Sequence, residues 1–226
     1  MPVPDRAARY ALAETAGRGR RRPRYPALKR ALDVAAAASL LLLASPVMLG
    51  AGVLIWAATG RPVLFRQRRP GREGRPFVLL KFRTMAEVRD AQGQLLAESA
   101  RLTPVGKLLR RLSIDELPQL WNVLRGEMSL VGPRPLLMEY LPCYTERERL
   151  RHAVRPGITG LAQVSGRNLL SWEARLELDA RYAESQSLAL DLRITGRTLW
   201  RVLRGQDVAV GAVPDLHVER RDRALR

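Results

Sequence analysis

The sequence predicts an α+β protein, mostly helical and membrane-associated, with a re-entrant N-terminal membrane helix, a short β-hairpin and interfacial amphipathic helices. Three observations predict it. Residues 34–60 form one uncharged apolar run of roughly 27 residues. Two short segments of strand-like composition, PVLFRQR and PFVLLKF, flank the turn-rich RPGREG. Segments such as 105–112 and 188–204 repeat apolar residues at helical spacing with arginines between them.

Residues 1–27 are rich in Arg, Ala, Gly and Pro and lack apolar periodicity, which predicts a disordered basic arm lying on a membrane surface. Residues 28–60 predict a membrane helix broken at Ser45 and Pro46. As one straight helix the apolar run would measure about 40 Å, enough to cross a ~30 Å hydrocarbon core. Its flanks argue otherwise. Arg18, Arg20, Arg21, Arg22, Arg24, Lys29 and Arg30 precede it, and Arg61, Arg66, Arg68, Arg69, Arg72 and Arg75 follow. A spanning helix carries its Lys/Arg excess on the cytoplasmic side alone. A segment that enters, turns and leaves on the same side removes the conflict. Pro46 has no N–H and its ring clashes with the Leu42 carbonyl, so it supplies the break. Each half is then about 12 residues or ~18 Å, too short to cross. The Ser45 hydroxyl is placed to satisfy one freed backbone group. The competing forms are a proline-kinked spanning helix, an uncleaved signal sequence and a buried core helix. The run starts late and exceeds the ~7–15-residue core of a secretory signal. A core helix without a polar face would need a larger protein around it.

Residues 61–205 read as one cytoplasmic domain. The segments 62–68 and 76–82 predict the two strands of the hairpin, with glycines in its turn at positions that tolerate positive φ. Residues 86–102 read as a polar excursion. Val105–Leu112 places apolar residues at i, i+3, i+4 and i+7, an amphipathic helix with a basic face. Ile114, Leu117, Leu120, Trp121 and Leu124 carry helical spacing onward. MSLVGPRPLL reads as turns, 146–153 as a helix, and RPGITGLAQVSGRN as a loop. Ser171 is a cap for a helix through WEARLELDARYAES, and 188–204 form a last amphipathic helix, interfacial or simply packed in the core, ended by Gly205. Residues 206–226 show no pattern and read as a flexible tail.

The chain has 226 residues and a net charge of +17, which attracts nucleic acid, anionic lipid headgroups and phosphorylated substrates. Beside an apolar membrane run, anionic lipid is the first partner to consider. Nucleic acid is not expected, because aromatic residues make up only 5% and no binding module is present. Cys143 is the sole cysteine, so an internal disulfide and a cysteine zinc cluster are excluded. His152 and His217 have no partner at metal-ligand spacing and read as ordinary surface histidines.

The chemistry points to Asp115 and Glu116 in SIDELPQL. On local evidence Ser113 followed by Glu116 is a capping-box signature, which would make the acids structural. The surroundings favour a site, because Lys107, Arg110, Arg111 and Arg125 crowd the pair. Carboxylates in a phosphate-seeking setting suit Mg²⁺, which takes one or two of them and fills its shell with water and phosphate oxygens. A carboxylate also acts as a nucleophile on phosphorus. Three further segments read as anion sites. Lys81 and Arg83 alternate along a strand in KFRTM, and Arg134 is held between prolines in VGPRP. Arg155 and Arg167 bracket the glycine-rich RPGITGLAQVSGRN. P-loop, dinucleotide-fingerprint and kinase motifs are absent.

In order along the chain stand KR-x-x-D (29–33), the Ser-Pro break, PVLFRQ, KFRTM, DELPQLWNVL-x-G-x-MSLVGPRP, RPGITG-x-AQVSGRN and W-x-x-RLELD-x-x-Y. Together they resemble the bacterial sugar transferase family, the monotopic phosphoglycosyl transferases, over about residues 28–205, and the chain looks like the minimal form of that family. The resemblance implies that 61–205 is a catalytic domain at the cytoplasmic face of a bacterial inner membrane. It implies transfer of a phosphosugar from a UDP-sugar to polyprenyl (undecaprenyl) phosphate, releasing UMP and initiating glycoconjugate assembly such as exopolysaccharide, capsule or O-antigen. Asp115 matches the family's nucleophile, which forms a covalent aspartyl phosphosugar, and Glu116 matches the partner acid near the Mg²⁺. Lys81, Arg110, Arg134 and Arg167 match basic positions of the phosphate cleft, and Gln163 falls in a matching motif without an assigned role. Leu161 departs from the tryptophan common there, and the arginine-rich arm is a second departure. Homo-oligomerisation and the sugar stay open. The rival reading is a non-catalytic basic scaffold on the membrane surface, in which Asp115 and Glu116 only cap a helix.

Overall fold

The break expected at Ser45 and Pro46 does not divide the helix: the apolar run forms one element, α1 (Tyr25–Thr59), that continues through Pro46. Proline removes the bond that the Leu42 carbonyl would have accepted, and the Ser45 hydroxyl donates to that carbonyl instead at 2.8 Å. The computed structural model describes residues 25–166, 170–204 and 216. Most of the arm expected over 1–27 therefore lies outside the described residues, while Tyr25, Pro26 and Ala27 belong to α1. The expected tail lies outside them too, apart from Leu216.

The remaining elements are β1 (Leu64–Pro70), β2 (Pro76–Phe82), α2 (Glu98–Arg101), α3 (Pro104–Arg111), α4 (Gln119–Leu124), β3 (Ser129–Val131), α5 (Glu146–Arg149), β4 (Gly157–Thr159), α6 (Leu161–Ser165), α7 (Trp172–Ser185) and α8 (Leu188–Leu203). β1 and β2 pair antiparallel with Leu64 opposite Phe82 and Pro70 opposite Pro76. The hairpin is tighter than expected. Its 3₁₀ turn (Arg72–Gly74) puts both Glu73 and Gly74 at positive φ, which leaves Arg69 and Pro70 inside the strand. Gln67, Arg69, Phe77, Leu79 and Lys81 share one face, and Phe77 and Leu79 are buried there. The outer edge of β2 is met by one side chain. Asn122 of α4 accepts the Leu80 N–H at 3.1 Å and donates to the Val78 carbonyl at 2.7 Å, as a neighbouring strand would.

α3 starts where Thr103 accepts the Gly106 N–H at 2.9 Å. Gly106 lies so close to the segment after β2 that an added Cβ would stand 2.0 Å from the Thr84 carbonyl oxygen. The helical spacing expected to run on through 114–124 is divided. Ser113 is left-handed (φ 55°), a 3₁₀ turn holds Ile114–Glu116, and α4 begins only after Pro118. The expected helix over 146–153 is α5 followed by a 3₁₀ turn, opened by a capping box between Thr145 and Glu148. Two segments expected as turns and loop contain short strands: β3 and β4 pair in parallel, with Gly132 and Gly157 backbone against backbone, and α6 follows. Ser171 caps α7 as expected, Ser187 caps α8, and Gly205 lies outside the described residues.

α1 packs against this domain at both ends. Ala37 joins Phe77, Leu79, Leu120, Val123 and Met128 in one core cluster, while Ala51 and Ile55 join Phe82 and Leu109 in another. The other faces of its middle stay bare: Leu42, Leu43 and Leu49 are 72–76% exposed. A buried polar network fastens the N-terminal part. Lys29 donates to Asp191 of α8 at 2.5 Å and to Asp33 at 3.5 Å, and Asp33 accepts the Ser129 hydroxyl at 2.7 Å. Tyr182 of α7 donates to the other Asp191 oxygen at 2.7 Å.

Candidate active site

The acid pair sits where the chain turns inward between α3 and α4. Left-handed Ser113 reverses α3, and the following 3₁₀ turn carries Asp115 inside to 8% exposure. The cap reading fails on geometry. The Ser113 side chain makes no capping bond, and the Glu116 carboxylate reaches across to other elements.

One oxygen of Glu116, Oε1, accepts two charged hydrogen bonds, from Lys81 Nζ at the end of β2 and from Arg134 Nη2, each 2.8 Å long. Glu116 is accordingly held far below the usual carboxylate range, the two cations outweighing burial. Lys81 is pushed down by its own burial, against the pull of Glu116. Arg134 is pushed up, chiefly by Glu116. Asp115 differs from its neighbour. Among the described residues its carboxylate has no hydrogen-bond or ion-pair partner, and burial, then the Glu116 charge, push its pKa upward while Lys81, Arg110 and Arg134 pull against them. One acid is thus tied through a single oxygen to two cations, and the other carries no such tie among the described residues.

The cations have supports of their own. Arg110 Nε donates to Thr84 at 3.0 Å, a contact that depends on the close approach at Gly106. The carbonyl of Arg134 accepts a 2.6 Å bond from Arg151, whose guanidinium is 2% exposed and paired with Asp179 of α7 at 2.8 Å. The RLELD motif therefore acts on the site from behind, through the backbone that carries Arg134.

The structure brings Lys81, Arg110, Arg134, Asp115 and Glu116 together and sends other expected residues elsewhere. Arg83 was expected on the face of Lys81, but β2 ends at Phe82. Its guanidinium instead donates to the Thr59 and Gly60 carbonyls at 2.5 and 2.8 Å, capping the C-terminal end of α1. Arg155 donates to the Gly126 carbonyl at 2.9 Å and lines a different cavity. Gln163 is buried, with Nε2 on the Ile158 carbonyl at 3.0 Å and Oε1 unpartnered among the described residues. Arg167 lies outside the described residues.

One cation escaped the sequence reading. Arg69, read as turn, lies on the hairpin face of Lys81, and burial with the charge of Arg134 lowers its pKa to about 10. Strand alternation counted back from Lys81 across the register would have found it.

Among the described residues no three His, Cys, Asp or Glu side chains gather as a metal cage. The donor set present is the adjacent Asp115 and Glu116, with the Asp115 carboxylate uncommitted. That fits Mg²⁺, which binds through one or two carboxylates and keeps water and phosphate in its shell, and does not fit a cation needing an all-protein cage.

A model of the bacterial sugar transferase family matches residues 24–205. The protein named uncharacterized sugar transferase EpsL of Bacillus subtilis (strain 168) is 52% identical over 181 residues, covering 80% of this chain and 90% of its own length. The exopolysaccharide production protein ExoY of Rhizobium meliloti (strain 1021) is 41% identical over 188 residues, 76% of this chain and 83% of its own. The UDP-glucose:undecaprenyl-phosphate glucose-1-phosphate transferase of Caulobacter vibrioides is 45% identical over 181 residues, 76% of this chain and 68% of its own.

Proposed function

The chain belongs to the bacterial sugar transferase family, and from that premise we propose that it is a phosphoglycosyl transferase, moving a sugar phosphate from a UDP-sugar to undecaprenyl phosphate with release of UMP. The observation that carries the reading is the asymmetric acid pair, a buried Asp115 without a hydrogen-bond or ion-pair partner among the described residues beside a Glu116 clamped by Lys81 and Arg134. In the first step an Asp115 carboxylate oxygen attacks the β-phosphorus, the bond from that phosphorus to the bridging oxygen breaks, and UMP leaves with that oxygen. In the second, an oxygen of the lipid phosphate attacks the aspartyl phosphosugar and the Asp115 carboxylate departs. Burial strips water from Asp115, and the positive charge of Lys81, Arg110 and Arg134 faces the phosphate oxygens, so the protein contributes positioning and electrostatic stabilisation. Asp115 and Glu116 would hold a Mg²⁺, which supplies charge neutralisation on the diphosphate when bound.

The same reading places α1 as a re-entrant helix, with the domain on the cytoplasmic face of the inner membrane. Its support is that both ends of α1 are anchored in one globular body, by Lys29 and Asp33 at one end and by Ala51, Ile55 and the Arg83 cap at the other.

The test is UMP release by the detergent-solubilised protein from a panel of UDP-sugars, with undecaprenyl phosphate, with and without Mg²⁺. Release with one or a few sugars, only when Mg²⁺ is present, is the expected result. Asp115→Asn should abolish it while leaving the protein in the membrane fraction. Turnover surviving in that variant overturns the nucleophile, and silence across the panel overturns the reaction.

A further inference from the structure

Away from the acid pair, a cavity of about 110 Å³ opens between the first turns of α1, the β1–β2 turn and the segment before β4. That is several times the ~30 Å³ a water molecule occupies in the liquid. Arg30, Arg72 and Arg155 line it from those three elements, and neither Asp115 nor Glu116 reaches it.

The charges there are unbalanced. Arg30 donates to the Val123 and Leu124 carbonyls at 2.6 and 3.0 Å, and Arg155 donates to the Gly126 carbonyl at 2.9 Å. These acceptors are neutral, so among the described residues neither cation is hydrogen-bonded to a carboxylate. Arg72 has one acidic neighbour, Glu73, at a loose 3.6 Å. The acid lining the cavity, Asp33, is already engaged by Lys29, the Ser129 hydroxyl and the Leu130 N–H. Arg155 feels the excess: burial, then the charges of Arg30 and Arg72, push its pKa down against the opposing pull of Asp33. Two of these guanidinium groups are locked to backbone at the C-terminal end of α4, so they are set in position before any anion arrives. Arg forks pair with phosphate oxygens.

We propose that this cavity is a second phosphate-binding site, separate from the acid pair, which takes the phosphate group of an anionic lipid headgroup or of a free phosphate. The bound anion offsets the repulsion among the three arginines and joins α1 to the hairpin turn. The proposal stands apart from the transferase reading, because none of its readouts uses turnover.

The experiment titrates full-length detergent-purified protein with inorganic phosphate by calorimetry. Arg134→Ala forms the background, so that phosphate held near the acid pair is weakened. Adding Arg72→Glu should weaken the remaining binding at least tenfold, and an unchanged affinity overturns the site. Arg72 is half-exposed, so this variant keeps the fold. Arg155→Lys is the second variant, retaining charge while losing the fork, with a thermal melt as the folding control. In the lipid arm, native mass spectrometry follows retention of phosphatidylglycerol against phosphatidylcholine. Selective retention lost in Arg72→Glu supports a headgroup site. Phosphate binding that responds to Arg72 without any change in lipid retention supports free phosphate. If neither ligand responds to Arg72, the proposal falls.

Discussion

Ser113 concentrates the cost of building the site. It is a non-glycine residue at φ 55°, placed immediately before the 3₁₀ turn that carries both acids. A left-handed non-glycine residue costs of order 1 kcal/mol and persists where surrounding structure over-determines it. A helix cap and a left-handed corner respond oppositely to one substitution. Removing a capping serine destabilises, whereas glycine at a positive-φ corner relieves strain. Ser113→Gly is therefore expected to hold or raise the melting temperature, by up to about 1 kcal/mol in stability. A clear loss would restore the capping role. Glu116 shows why part of the site was legible and part was not. The pair was visible as neighbouring acids among basic residues. That Glu116 spends one oxygen on both Lys81 and Arg134 is a tertiary fact with no local signature. The same holds for Asn122, one amide in a helical run, which completes the edge of a strand.

Among the elements, α3 meets the segment just after β2 at one very close approach. With a Cβ at Gly106 2.0 Å from a backbone oxygen, neither side has a flexible atom to yield. Gly106→Ala should displace α3, break the Arg110–Thr84 bond and cost about 2–4 kcal/mol, measurable as a fall in melting temperature with weakened substrate binding. Helix α1 offers a topological test. Pro46→Leu restores the missing backbone bond and should favour a straight spanning helix. Cysteine-accessibility labelling should then find the two flanks on opposite faces in the variant and on one face in the wild type. The same face in both would show that Pro46 does not set the topology. Most of the long or strongly periodic elements were readable: α1, the hairpin, α3, α7 and α8. Strands β3 and β4 were not, because three residues each carry no period and their pairing rests on glycines that let two backbones meet. Arg83 misled for a related reason. Alternation held up to Phe82, and the strand ended one residue too soon.

At the scale of the whole molecule, acid is the condition to which the fold should be most sensitive. His152 was expected to be an ordinary surface residue, but it is half-buried, its ring lies against Tyr144, and Nδ1 donates to the Gly71 carbonyl at 3.3 Å while Nε2 is buried without a partner among the described residues. Burial, with Arg151 and Arg149 nearby, lowers its pKa to about 3. The folded chain therefore keeps it neutral, while the unfolded chain takes up a proton below about pH 6.5. Its contribution to stability is full above that value and is lost as pH falls toward 3, by up to ~1.4 kcal/mol per pH unit. Melting temperatures measured from pH 7 to 5 should fall in the wild type and much less in His152→Gln. A parallel decline in both would assign the effect to carboxylates instead. The docking of α1 carries a wider consequence. Its small inward residues, Ala37 and Ala51, complete two of the hydrophobic clusters of the domain, and Lys29 and Asp33 complete its buried polar network. The long apolar segment is thus also an internal wall of the globular part. A chain trimmed at residue 60 would not be a soluble version of the same machine but an unfinished one, with its interior open to water. For this architecture, the apolar segment long enough to cross a membrane is at the same time a condition of folding.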